Sequence, residues 1–184
     1  MVDGPRIACA VFVFREGAFS AMGHDLELRV TDFDLEIGEG SAVNASCRTD
    51  SLRVVGVLRQ GNTDAVDESQ PSAGDRQGIE RDVARVILEA EKYPRATFRS
   101  TKVEPAGDGY RVTGLLDLHG AVREVTVTAQ RRGDRAVARF TLDQTDYRIK
   151  PYRAFLGALR VKPEVVVEVS APLPPTQAAG EARS

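Results

Sequence analysis

The segment from Glu91 to Gly120 constrains the fold more than any other, because it places a helix stop, two strands and a tight turn in close succession. Tyr93-Pro94 ends a helix, since a residue that precedes proline is pushed out of helical geometry. Strand signals follow at about 95 to 104 and about 110 to 119, on either side of the turn sequence Ala106-Gly107-Asp108-Gly109. The segment therefore predicts two antiparallel strands joined by a tight turn.

Alternating apolar and polar residues continue along the chain and predict further strands at about 122 to 131, 135 to 144 and 161 to 171. Near the amino terminus, residues 7 to 14 are apolar on both faces, so we expect the outer face of that strand to be covered. After Val30 the apolar residues change from even to odd positions, and an extra residue at Thr31-Asp32 explains the change as a β-bulge. A third strand begins at Val43, and residues 52 to 58 form a fourth or its bent continuation.

One amphipathic helix is predicted near residues 79 to 91. Its apolar residues recur at helical spacing, and we expect Val83, Val86 and Ile87 to pack with Ile79 on the sheet. The preceding residues 61 to 78 lack periodicity and contain four acidic residues against one basic residue. This composition predicts a mobile acidic loop before the helix.

The number and spacing of the strands favour a closed barrel, because closure leaves no exposed edge. The predicted fold class is all-β, a single antiparallel closed barrel of about eight strands with one main α-helix packed against it. A barrel of about eight strands is just wide enough to be filled by side chains or to hold one slender ligand.

Three groups of residues resemble a known family. The first group consists of Glu91 to Val103 and Val112 to Gly120, and it resembles the signature of the YceI-like family. The second group, Phe19 to Asp25 with Val30 to Phe33, resembles the first hairpin of that family. The third group, Phe140 to Asp143 with Leu156 to Leu159, resembles its closing strands. Arg123-Glu124 departs from the Lys-Pro of many members. The resemblance implies a lipocalin-like barrel over residues 1–171 that binds polyisoprenoid lipid in its interior. The remaining residues, 172–184, are rich in proline and alanine, which predicts a disordered tail.

The predicted ligand-binding residues are apolar side chains on the inward faces of strands and two tyrosines near the mouth of the barrel. They are Leu26, Leu28, Phe98, Leu116, Leu118, Phe140, Leu142, Tyr147 and Tyr152. The tyrosines, with Arg153, are candidates to hold a quinone ring or a lipid headgroup, although a solvated connection explains the same segment. The apolar residues are equally able to pack against one another and fill the lumen.

Two functions follow from these alternatives. The first is a non-enzymatic carrier that holds an amphiphilic isoprenoid or other fatty-chain lipid in the lumen. The second is a structural or stress-response interaction module with a filled lumen and no small-molecule ligand. We expect no catalytic residue, no metal and no cofactor.

His24 and His119 each stand beside a glycine at a strand end, which favours a structural role over chemistry. A hydrolase that uses His24 with Asp25 is a distant third hypothesis. Cys9 and Cys47 have neither Cys-x-x-Cys spacing nor zinc-ligand partners, so two reduced core thiols are favoured over a disulfide.

The charge of the chain argues against nucleic acid and against a global attraction to anionic membranes, because the net charge is -2 and the pI is near 5.8. No apolar run approaches the roughly 18 residues that span a bilayer, and no export signal is recognisable. A soluble, cytoplasmic protein is therefore expected, and the sequence leaves open whether it forms a homodimer.

Overall fold

The computed structural model describes residues 7–38 and 42–173, which form fourteen strands and one α-helix. The helix is α1 (Ala73–Asp82). The strands are β1 (Ala8–Val13), β2 (Arg15–Glu16), β3 (Leu26–Val30), β4 (Phe33–Ile37), β5 (Val43–Arg48), β6 (Leu52–Arg59), β7 (Asn62–Asp67), β8 (Arg95–Ala106), β9 (Gly109–Leu118), β10 (Ala121–Arg132), β11 (Arg135–Asp143), β12 (Arg153–Ala154), β13 (Leu159–Val161) and β14 (Glu164–Pro172).

Eleven strands form one curled antiparallel sheet in the order β4-β5-β8-β9-β10-β11-β14-β1-β3-β6-β7, and β12, β13 and β2 form a small second sheet. The all-β class, the antiparallel pairing and the single α-helix agree with the sequence-based prediction, but the sheet has more strands than predicted. The extra strands arise because β3 and β4 are separated only by Thr31-Asp32, β5 and β6 only by residues 49–51, and because β7 adds a further strand beside β6.

The two interruptions lie opposite each other in one hairpin. β3 pairs with β6 and β4 pairs with β5, so β3 and β4 run together against β5 and β6. Between the paired segments, the Thr31 N–H donates to the Ser51 carbonyl at 3.0 Å and the Arg48 N–H donates to the Asp32 carbonyl at 3.1 Å. The break at Thr31-Asp32 shifts the alternation of side chains, and the apolar residues of β3 and β4 therefore face the same interior despite their opposite numbering parity.

The helix begins earlier than the sequence predicted. Residues 61 to 78, predicted as a mobile loop, contain β7 and the first turns of α1. Ser72 caps the helix, because its hydroxyl oxygen accepts from the Asp75 N–H at 3.3 Å. Helix α1 continues into a π-helical turn at Val83–Ile87, in which the Leu88 N–H donates to the Val83 carbonyl at 2.9 Å.

The π-helical turn corrects the prediction for Val86. A π-helix has more residues per turn than an α-helix, so Val86 no longer lies on the stripe formed by Ile79, Val83 and Ile87. Val83 and Ile79 pack against the buried cluster of Leu26, Leu28 and Val54, whereas Val86 is 68% exposed. The helical segment therefore covers the interior of the curled sheet through Ile79, Val83 and Ile87, as predicted, and not through Val86.

The outer face of β1 is covered, as the sequence predicted. Phe12 is buried on that face, and the Arg139 guanidinium lies 5.2 Å from the centroid of its ring. A second buried cluster, Ala121, Leu142, Tyr147, Ile149 and Val165, lies where the ends of β9, β10, β11 and β14 meet. The predicted tail from residue 172 lies outside the described residues except for Pro172 and Leu173.

Candidate ligand-binding cavity

The inward faces of the large sheet and of α1 surround a cavity of about 710 Å³. This volume lies within the range of about 300–1,000 Å³ that is typical of small-molecule sites. Strands β1, β3 to β6, β8 to β11, β13 and β14 all contribute lining residues, and most of these are aliphatic or aromatic. The lumen is therefore open and apolar, and its side chains do not fill it.

Strand β9 shows how alternation builds the wall. Val112, Leu116 and Leu118 line the cavity, whereas Leu115 points away from it and is 43% exposed. In the neighbouring strands, Leu116 pairs with Phe98 of β8 and with Arg123 of β10.

Gly114 makes room for Phe98 on this wall. A Cβ atom at Gly114 would lie 2.5 Å from the Phe98 ring and 2.4 Å from the Arg99 carbonyl oxygen. The ring therefore packs directly on the β9 backbone. Glycine at this position keeps the ring close to the wall and preserves free volume in the lumen.

Eight of the nine predicted ligand-binding residues line the cavity. The eight are Leu26, Leu28, Phe98, Leu116, Leu118, Phe140, Leu142 and Tyr152. Tyr152 is 44% exposed, which places it where the cavity meets solvent. Contact of these residues with a ligand stays a prediction.

Tyr147 lies elsewhere. It belongs to the short 3-10 helix Gln144–Tyr147 that follows β11, and this turn carries its side chain into the buried cluster with Ala121 and Val165. Only 2% of the residue is exposed, and it does not line the cavity. Burial raises the pKa of the Tyr147 hydroxyl, and the nearby Asp146 carboxylate adds to the effect. Tyr147 is thus a core residue and not part of the mouth.

Polar side chains concentrate at one end of the cavity, which we call the helix end. They are Arg15, His24, Asp82, Gln144, Tyr152 and Arg160, while the smaller polar residues Ser46, Thr49 and Thr97 line the wall at β5 and β8. The Asp25 carboxylate accepts from the Arg15 N–H at 2.8 Å, and Arg160 lies 3.2 Å from the Glu16 carboxylate. Sequence reasoning missed four of these residues, Arg15, Asp82, Gln144 and Arg160, because they lie at the ends of elements, where alternation gives no signal.

The opposite end of the cavity, which we call the far end, is almost entirely apolar. Its lining residues include Ile37, Val43, Tyr110, Ala136 and Leu173. Ile37 is 61% exposed and Tyr110 is 50% exposed, as expected for residues at an opening. Among the described residues, the charged side chains of the lining thus lie at the helix end, and we expect a second opening at the far end.

The two histidines occupy different environments. His24 is exposed and lines the helix end, while its neighbour Asp25 is engaged by Arg15. His119 is buried in the β9–β10 turn, where His119 and Gly120 have φ of 53° and 71°, as a type I′ turn requires.

The His119 ring joins three parts of the chain. Its Nδ1 lies 3.2 Å from the Tyr147 carbonyl oxygen, and since a carbonyl can only accept, Nδ1 is the donor of this hydrogen bond. Its Nε2 lies 3.0 Å from a Glu89 carboxylate oxygen, but the two groups are not aligned for a hydrogen bond. The Tyr93 ring packs 4.2 Å from it, centroid to centroid. His119 is outside the cavity lining, so this arrangement supports the structural role at a strand end.

Both cysteines are free thiols that line the cavity. Burial raises the pKa of Cys9 to about 12, and the proximity of Cys47 adds to the shift. Burial also raises the pKa of Cys47, against the opposing effects of the Ala96 backbone and Arg95. Both groups are therefore protonated at neutral pH and are poor nucleophiles.

Within residues 7–38 and 42–173, no three His, Cys, Asp or Glu side chains are grouped so that they could hold a metal ion. In the same part of the chain, no helix has the length and apolar character needed to cross a membrane.

Comparisons with known proteins give both local and chain-wide matches. A UPF0312 protein of Yersinia pestis (strain Pestoides F) is 45% identical over 47 residues, which are 26% of this chain and 24% of that protein. A UPF0312 protein of Pectobacterium atrosepticum is 37% identical over 82 residues, which are 37% of this chain and 43% of that protein. The alignments thus span well under two thirds of these curated relatives.

The crystal structure of BcnA from Burkholderia cenocepacia shares the fold with a TM-score of 0.57 at 16% identity, covering 90% of this chain and 96% of that one. A family model described as the YceI-like domain matches residues 10–173. Because this match covers most of the sequence, the chain belongs to the YceI-like family.

Proposed function

We propose that this protein is a non-enzymatic carrier that holds one amphiphilic isoprenoid, or another lipid with a single long chain, in its lumen. The observation that carries the proposal is the apolar cavity of about 710 Å³ with polar residues gathered at the helix end. An open lumen also favours the carrier over the module with a filled lumen. No catalytic step is proposed, because the thiols are protonated and Asp25 is engaged by Arg15.

We also infer that the large sheet closes into a barrel of eight long strands, if β3 with β4 and β5 with β6 each count as one strand and β7 is an additional strand beside β6. β3 pairs with β1 on its outer side, and β5 pairs with β8. The hydrogen bonds at Thr31 and Arg48 bridge the interrupted hairpin between them. This pairing places β1 and β8 on opposite sides of one hairpin and so supports closure of the sheet around the lumen.

The energetics favour a long chain. Burial of about 400 Å² of apolar surface contributes about 10 kcal/mol, at about 25 cal/mol per Å². Association costs about 4–15 kcal/mol in lost freedom of motion. A short fatty chain therefore gains little net affinity in this lumen, whereas a prenyl chain that extends through the whole cavity buries more apolar area and binds more tightly.

The polar residues of the helix end favour one orientation of the ligand. Arg15, Gln144 and Arg160 carry N–H donors, and Tyr152 adds a hydroxyl beside the opening. The far end offers mainly apolar side chains. We therefore expect a polar head that accepts hydrogen bonds, such as a quinone carbonyl, at the helix end, with the chain directed to the far end.

Native mass spectrometry of the protein purified from its own host tests the proposal, with organic extraction to identify any bound molecule. We expect a mass increment that disappears after extraction and returns when the delipidated protein is given a long isoprenoid quinone. If neither isoprenoids nor fatty acids bind the delipidated protein, the carrier function is wrong and the module without a small ligand is favoured.

A further inference from the structure

Two loops at the helix end expose large apolar side chains next to each other. The loop after β2 carries Phe19 and Met22, which are 48% and 64% exposed, and the segment after β12 carries Phe155 and Leu156, which are 56% and fully exposed. We call these four residues the apolar lip. An exposed cluster of large apolar side chains is typical of a surface that contacts a partner or a membrane.

The two loops form a single surface. The Phe19 and Phe155 rings meet edge to face with their centroids 6.1 Å apart, and the Phe19 N–H donates to the Ala158 carbonyl at 2.9 Å. Phe155 and Leu156 adopt φ of 49° and 56°, a left-handed conformation that residues other than glycine rarely adopt. This turn leaves Leu156 projecting into solvent.

The surroundings of the lip are positively charged. Residues 147 to 162 contain five basic residues and no acidic residue. Arg160 pairs with Glu16 at 3.2 Å. The other four are exposed and have no ion-pair partner among the described residues: Arg148, Lys150, Arg153 and Lys162. The positive charge is local, since the whole chain carries a net charge of -2.

The lip is continuous with the opening of the cavity. β13 pairs with both β2 and β12, from which the two lip loops extend, and all three of its residues line the cavity. Gly23, directly after Met22, and Tyr152, three residues before Phe155, line it too. A molecule that leaves the helix end therefore passes the lip.

We propose that the apolar lip docks on the surface of an anionic lipid bilayer. Phe19, Met22, Phe155 and Leu156 insert between the lipids, the unpaired basic side chains contact lipid phosphates, and the helix end of the cavity faces the membrane. This inference rests on the proposed function, because a carrier of a water-insoluble chain has to collect and release it at a membrane. Apolar side chains combined with basic residues are the chemistry of interfacial anchors.

A single tryptophan tests insertion directly, because the natural chain contains none. We expect the emission of Leu156→Trp to shift to shorter wavelength on vesicles of phosphatidylcholine with phosphatidylglycerol, and to be quenched by brominated lipid. Leu115→Trp, on the outer wall of β9, should show neither effect. An unchanged Leu156→Trp spectrum on saturating vesicles overturns the proposal.

Vesicle flotation of the delipidated protein measures the affinity. The double variant Phe155→Ser/Leu156→Ser should bind anionic vesicles at least tenfold more weakly than wild type, while Leu115→Ser should bind like wild type. Arg153→Glu should lose more than fivefold, since each basic residue near an anionic surface contributes about fivefold. Arg132→Glu, at the opposite end of the barrel, is the matched charge control and should have no effect.

Quinone co-elution in vesicle-free buffer separates this inference from the proposed function. Phe155→Ser/Leu156→Ser should bind quinone like wild type, because neither residue lines the cavity. If wild type binds quinone but the double variant still floats like wild type, docking by the lip is wrong and the carrier function stands. If Leu156→Trp inserts into vesicles but the wild-type lumen takes up no quinone, the carrier function fails and docking stands. If the double substitution only converts a dimer into a monomer, the lip is a subunit contact and the proposal is overturned.

Discussion

Replacing Leu116 with tryptophan tests whether the ligand occupies the lumen. Leu116 lines the cavity near the end of β9, opposite Phe98 in the adjacent strand. Tryptophan adds about six heavy atoms, and in an open cavity these occupy the space that the ligand chain would fill. The free volume beside Leu116 spares the fold most of the about 1–3 kcal/mol that overpacking costs in a filled core.

The expected loss of affinity is at least tenfold. Each buried methylene of the ligand contributes about 0.8 kcal/mol, so displacement of only two methylene groups costs about 1.6 kcal/mol. A loss of about 1.4 kcal/mol already raises Kd tenfold. The effect should be seen as reduced co-elution of a long isoprenoid quinone with delipidated protein, followed by quinone absorbance, because a new tryptophan would alter the intrinsic fluorescence.

Leu115→Trp is the matched control, since Leu115 is the next residue of the same strand and points out of the cavity. It should bind quinone like wild type. Both variants should keep a β-type circular dichroism spectrum and a melting temperature close to that of wild type. If Leu116→Trp binds quinone as tightly as wild type, the reasoning is refuted and the ligand lies outside the lumen. An equal loss of binding in Leu116→Trp and Leu115→Trp would refute it too.

Three further predictions concern stability and the lumen. Val83→Asp should lower the free energy of unfolding in urea by at least about 2 kcal/mol. Val86→Asp, at an exposed position, should change it by less than about 0.5 kcal/mol. Equal effects of the two substitutions would contradict the observed docking of the helix. Gly114→Ala should displace the Phe98 ring and lower quinone binding and melting temperature together, and a variant with unchanged binding would show that the ring does not limit the lumen. The raised pKa of Cys9, about 12 against 9.0 for a free thiol, contributes stability that is complete below pH 9 and is lost as the pH rises toward 12. Between pH 8 and pH 10, wild type should therefore lose about 1.4 kcal/mol more stability than Cys9→Ala in urea unfolding, and an equal loss in the two proteins would be incompatible with a buried thiol.

The five long strands after Pro94 could be predicted within a few residues, because strict alternation between short turns reports both the element and its buried face, whereas the short β12 and β13 were missed. The same signal found the lining residues Leu116 and Leu118. Alternation says nothing about the space between opposite walls, so the sequence left the open and filled lumen undecided. That question depends on close contacts such as the Phe98 ring over Gly114, which a sequence pattern does not contain.

The helix was harder to locate because its first turns carry few apolar residues. A helix that packs only through its last turns shows no stripe at its start, and the π-helical turn then moves Val86 off the stripe that the spacing predicts. One usable signal was present: Ser72 followed by Asp75 matches a helix-capping pattern. β7 carries two aspartates among its six residues and was assigned to the same loop, since acidic residues are depleted in strands.

The exposed residues Ile37 and Tyr110 at the far end of the cavity predict a second opening there, which bears on selectivity. A tunnel open at both ends restricts the cross-section of its guest but not its length, since a longer chain can extend past the second opening. Affinity should therefore rise with each added isoprene unit until the chain spans the tunnel, and then level off. Lipids with two chains should be rejected at every length, because hydrogen bonds between neighbouring strands prevent the wall from widening. The protein would thus select lipids by the cross-section of the chain and not by its length.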